Sequence, residues 1–144
     1  MRIFWSVAVG GALGCVSRYY LTVFIQQRAG PSFPTGTLII NITGSFLLGF
    51  IMRYALQSGV VSAETRTLLT SGFCGGYTTF STYSYETAMM LDDGEYGRAA
   101  IYVGTSVVLA LAGTLLGFAA ANRLLALREG TGLAERRHDA RFQG

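Results

Sequence analysis

A chain of 144 residues of which 51% are hydrophobic and only 13% charged departs far from soluble domains, where charged residues alone make up about a quarter. The composition excludes a free-standing soluble fold and points to the bilayer as solvent. Net charge is +3 and all eleven basic residues are arginine, but Arg128, Arg136, Arg137 and Arg141 sit together near the C-terminus, so the balance gives no argument for nucleic acid as a partner.

The first predicted span covers residues 3–25. Arg2 ahead of an apolar run, with Gly14-Cys15 beyond it, has some look of a secretory signal. The apolar character continues through Tyr19, Leu21, Val23 and Ile25, however, which gives the roughly twenty residues of a full crossing. A turn at Gly30-Pro31 leads to a second span over residues 35–56. Here Thr37, Asn41 and Ser45 recur at i, i+4 and i+8, placing them on one face. Asn41 stands out because its amide brings both donors and acceptors to mid-membrane depth.

After the Ser58-Gly59 turn, the third span over residues 68–91 contains the run Gly75-Gly76-Tyr77-Thr78-Thr79-Phe80-Ser81-Thr82-Tyr83. An ordinary crossing has no need of two glycines and a string of hydroxyls at its middle, and the run predicts a broken helix. Lipid offers no partner to the freed N–H and C=O groups, so they must face protein, water or an ion. Beyond the break, Phe80 and Tyr83 are three apart and project from one face. Ring edges are electropositive and coordinate anions without formal charge. The Asp92-Asp93-Gly94 turn opens a fourth span, residues 99–121, with Tyr102 and Ser106 beginning a second polar stripe. A transmembrane unit over residues 1–127 is followed by residues 128–144, which read as a polar, disordered tail holding the single histidine, His138.

Short connections between the spans predict a compact all-α membrane protein, a four-helix transmembrane bundle with a broken third helix. Gly10 and Gly14, Gly72 and Gly76, and Gly113 and Gly117 are each four apart and let helices approach closely. Arg18 and Glu86 are the ionisable residues inside the spans; each reads either as a pore-mouth charge or as a structural one, pairing with the other or with a carbonyl. Cys15 and Cys74 are too few for a disulfide framework or a metal site. Carbonyls exposed at the break suit a hard cation such as sodium; two copies of the chain meeting at their breaks would supply four, which makes a symmetric dimer the natural completion. No Ser/His pair, paired acids or His/Cys cluster lies within the spans, so no catalytic residues and no enzyme are expected. Arg2, Arg53, Arg66, Arg123 and the tail share one side, against Arg28 and Arg98 opposite, which favours cytoplasmic termini.

The run GGYTTFSTY at residues 75–83, followed by Ser84-Tyr85-Glu86, together with GTLIIN at 36–41, the Arg18 region and YVGTS at 102–106, resembles the Fluc or CrcB family of fluoride channels. The resemblance spans residues 3–125 and leaves out the tail. It implies a bacterial inner-membrane channel that exports fluoride passively and relieves its toxicity, built as an antiparallel, dual-topology homodimer with two pores. It also implies a structural sodium ion, not transported, on the carbonyls of Gly75 and Thr78 from both chains. The fluoride path would map onto Asn41, Phe80, Tyr83, Tyr102 and Ser106, with Thr79, Ser81 and Thr82 nearby and Arg18 at the family's basic position. Tyr83 stands where a second phenylalanine is usual, and Ala110 where a second serine is common. Because some members of the family pair two different chains, a sister chain is an alternative to the homodimer. Two other readings of the residues remain: a small dual-topology proton-coupled exporter, for which the first span lacks an acid and Glu86 would be the carrier, or an accessory membrane subunit without transport.

Overall fold

A computed structural model describes the backbone of residues 1–142 and the side chains through Arg128. The described residues form helices α1 (Arg2–Ala29), α2 (Thr35–Ser58) and α3 (Ala63–Thr67), a π-helical segment (Leu68–Cys74), and helices α4 (Gly75–Tyr77), α5 (Phe80–Asp92) and α6 (Tyr96–Phe142). Three helices are long and apolar enough to cross a membrane: α1, α2, and α6 as far as Arg128. The predicted third crossing is made of the π-helical segment, α4 and α5, with α3 leading into it. The backbone of α6 is helical through the segment expected as a tail; the side chains there, His138 included, lie outside the described residues.

The punctuation follows from the residues. Gly30 ends α1, with its N–H bonded to the Gln26 carbonyl. Gly59, at φ 65° and ψ −3°, takes the left-handed cap that ends α2, a conformation glycine adopts without steric cost. Ser62 then caps α3 by accepting from the Thr65 N–H.

Packing is inside-out relative to a soluble bundle. Val107, Val108, Leu111, Leu115 and Leu116 on α6 are exposed, while Thr37, Thr70 and Ser106 are buried, as expected where lipid is as apolar as leucine and small residues drive helix association. The glycine pairs act as the sequence suggests. Added Cβ atoms would lie 2.9 Å from Phe73 N at Gly10 and 2.9 Å from Tyr77 N at Gly14, so α1 rides directly on the backbone of the third crossing. On the other side of the bundle, Gly113 and Gly117 bring α6 against α2, with Gly117 meeting the backbone at Phe46 and Phe50.

The helix break is real but lies later than the glycines. Gly75 keeps helical angles of φ −63° and ψ −38°, and the chain opens at Thr78 (φ −84°, ψ 160°) and Thr79 (φ −151°, ψ 109°). Gly76 serves close approach, since a Cβ there would sit 2.6 Å from the Gly11 carbonyl oxygen of α1.

Candidate functional site

The break is held open by a side chain from another helix. Asn41, in the middle of α2, accepts from the Thr79 N–H at 2.8 Å and donates from Nδ2 to the Thr79 carbonyl at 3.2 Å. It thereby meets both polar backbone groups of one residue, as a neighbouring strand would. Thr79 Oγ1 then caps α5 by accepting from the Thr82 N–H at 3.1 Å. In an unbroken helix these two N–H groups would bond to the carbonyls four residues back, at Gly75 and Thr78. Their diversion leaves those two carbonyls without helical donors. Of the two carbonyls between them, that of Gly76 receives Arg18 Nε at 3.1 Å. Arg18 therefore meets a carbonyl and not Glu86.

Against the break lies a cavity of about 230 Å³, lined by Asn41, Ser45, Thr78, Phe80, Tyr83 and Ser106. Ala110, where the family resemblance led to expectation of a serine, contributes a methyl group to its wall. Ser106 is 8% exposed and its Oγ has no hydrogen-bond partner among the described residues. A buried hydroxyl left unpaired is costly, and here it faces the void. Phe80 and Tyr83 are 5.5 Å apart, centroid to centroid, and tilted by 45°. Phe80 leaves 78% of its surface uncovered.

Behind the cavity the rings continue. Tyr83 meets Tyr102 at 5.2 Å, and Tyr102 meets Phe33 edge-on at 5.4 Å and 83°. Tyr102 is fully buried and donates to Glu86 Oε2 at 2.7 Å, while Thr37 donates to Oε1 at 2.8 Å. Both carboxylate oxygens are thus engaged by hydroxyls, one from α2 and one from α6. Glu86 also borders a second cleft, of about 560 Å³, that opens toward Asp93, Glu95 and Arg98. A line of ring contacts and hydroxyls thus joins the break to this carboxylate.

Asn41, Phe80, Tyr83, Ser106 and Thr78 thus line one cavity, with Tyr102 directly behind it. Thr79, Ser81 and Thr82 gather into a capping cluster, in which Thr79 Oγ1 donates to Thr82 Oγ1 at 3.0 Å and lies 3.2 Å from Ser81 Oγ. Gly75 lies on an open face of the chain, with only the Thr70 carbonyl within 4 Å of an added Cβ.

Gln26 was not singled out from the sequence. Its Nε2 donates to the carbonyls of Gly30 at 2.5 Å and Phe33 at 2.9 Å, and its Oε1 accepts from the Gly36 N–H at 3.0 Å. It rivets the α1–α2 loop, and so fixes both Phe33 and the first turn of α2, which carries Thr37. The readable signal is a polar residue near the end of an apolar span, four residues before a glycine-proline turn.

Residues 5–118 match the family model described as CrcB-like protein, Camphor Resistance (CrcB). The chain is 49% identical over 124 residues to a protein of Geobacter sulfurreducens named fluoride-specific ion channel FluC, covering 86% of this chain and all of that one. It is 50% identical over 115 residues to the protein of the same name from Geotalea daltonii, covering 80% and 93%, and 42% identical over 113 residues to that of Rhizobium meliloti, covering 78% and 90%. With the family model spanning all four predicted crossings and relatives matching nearly end to end, the chain belongs to the CrcB-like family.

Proposed function

We propose that this protein is a passive fluoride channel of the bacterial inner membrane, lowering cytoplasmic fluoride by letting it leave. The observation that carries the reading is the cavity at the break, lined together by the rings of Phe80 and Tyr83, by Asn41 and by Ser106 with its unpaired hydroxyl. An uncharged wall of donors and ring edges binds a small anion weakly enough for it to move on. The relatives' name, fluoride-specific ion channel, identifies that anion.

The working unit is an antiparallel pair of chains. Most of the Phe80 ring is uncovered in a single chain, and Gly75 lies open; a second copy would close both. The carbonyls of Gly75 and Thr78, stripped of their helical donors by Asn41 and Thr79, fit a sodium ion, and both chains together present four of them. When bound, the ion supplies positive charge that holds the two breaks together. The arginines of the termini side favour cytoplasmic termini under the positive-inside rule, and a pair of opposite orientation is satisfied either by a second copy inserted the other way or by a sister chain.

The test is fluoride efflux from liposomes that contain the purified protein. Fluoride leaves far faster than chloride, without any pH gradient, and the rate falls when sodium is withheld throughout purification. Protein that is folded yet leaks no fluoride with sodium on both sides refutes the reading.

A further inference from the structure

A third cleft, of about 730 Å³, runs along the other half of the third crossing, and Arg66 stands in its wall. One side is apolar, formed by Leu48 and Met52 of α2; the opposite side is formed by Thr67, Thr70, Ser71 and Thr78, with Gly75 beside them, and the hydroxyls of Thr70 and Thr78 donate to the carbonyls of Arg66 and Cys74. Thr78 lines this cleft and also the cavity of Asn41 and Phe80. The break therefore borders both spaces.

The other arginines with described contacts are committed elsewhere. Arg18 is bound to the Gly76 carbonyl, Arg28 and Arg53 lie over the rings of Phe24 and Phe118, Arg98 is paired with Glu95 and Arg128 donates to the Tyr54 hydroxyl. Arg66 is half-buried, and among the described residues no carboxylate pairs with it, Glu64 of the same helix included. A guanidinium cannot be deprotonated in a protein, so its charge stays on the cleft.

Resting on the channel reading above, we propose that Arg66 collects anions for the pore: it raises the fluoride concentration in the hydroxyl-lined cleft that leads to the break. The guanidinium acts at a distance through its field and does not hold the ion along the path. A single positive charge bordering a water-filled cleft changes the local anion concentration about threefold at low salt, and the effect fades as the screening length shrinks from about 30 Å at 0.01 M to less than about 8 Å above physiological ionic strength.

The experiment compares fluoride efflux from liposomes bearing wild type, Arg66→Gln, Arg66→Lys or Arg123→Gln, at roughly 0.01 M and 0.3 M ionic strength. Arg123 is exposed, shares the termini side and borders none of the three spaces, so it controls for topology and net charge. Arg66→Gln is expected to slow efflux about threefold at low salt and to approach wild type at high salt, while Arg66→Lys and Arg123→Gln follow wild type. A loss that is equal at both salts and shared by Arg66→Lys makes Arg66 a packing residue and overturns the proposal, as does an Arg66→Gln protein matching wild type throughout. A silent wild type overturns the channel reading and this proposal with it, whereas a conducting wild type beside an insensitive Arg66→Gln overturns only the latter.

Discussion

Replacing Asn41 with leucine removes the side chain that meets both backbone groups of Thr79. Leucine keeps the branching at Cγ and the adjoining cavity has room for its larger methyl groups, so the main loss is that one N–H and one C=O are stranded in the protein interior. Each unsatisfied group costs about 1–3 kcal/mol, giving about 2–6 kcal/mol for Asn41→Leu. A typical side-chain hydrogen bond between membrane helices contributes only about 0.6 kcal/mol, so the two accounts are separable. Asn41→Asp keeps an acceptor for the Thr79 N–H, but an ionised carboxylate has no donor for the Thr79 carbonyl and adds a buried charge, so it is expected to lose at least as much. Reversible unfolding in mixed detergent micelles, followed by circular dichroism, reads the difference. An Asn41→Leu protein within about 0.6 kcal/mol of wild type would show that the break holds itself open, and the clasp described here would be incidental.

Phe80→Ile keeps the apolar bulk but removes the ring edge from the cavity, and is expected to abolish most fluoride efflux while leaving the unfolding midpoint close to wild type; retained efflux moves the path elsewhere. Gly14→Ala forces a methyl group against Phe73 and Tyr77 and should cost about 1–3 kcal/mol. Gly97→Ala, with nothing within 4 Å of its added Cβ, should be neutral or slightly stabilising in the same unfolding assay. Gln26→Leu strips three hydrogen bonds from the α1–α2 loop. Because water reaches that end of the bundle, the expected stability loss is about 1–2 kcal/mol, together with slower efflux through the loosened contact between Phe33 and Tyr102.

The crossings were legible because their length and apolarity are properties of contiguous residues. The glycine pairs were legible because spacing alone places them on one helix face. The interruption was legible as well, from the hydroxyl run ahead of Phe80, but what holds it open was not. Gly75 and Gly76 look like the breakers, yet they are helical, and Gly76 is explained by the backbone of α1 pressing on it. What opens the chain is Asn41, thirty-eight residues away from Thr79, and no local signal in the third crossing names it. The partners of Glu86 were hidden in the same way. Thr37 and Tyr102 each appeared within a polar stripe, but only the packing of α2, α5 and α6 brings them to one carboxylate.

That the interruption is clasped from outside bears on how the chain is made. Residues 63–92 contain no proline, so emerging alone they are free to enter the bilayer as a continuous helix and to open fully only when α2 docks. Biogenesis would then never expose the naked carbonyls of Gly75 and Thr78 to lipid. The gap would come into being at the moment of assembly, with the Asn41 amide already in place to meet Thr79.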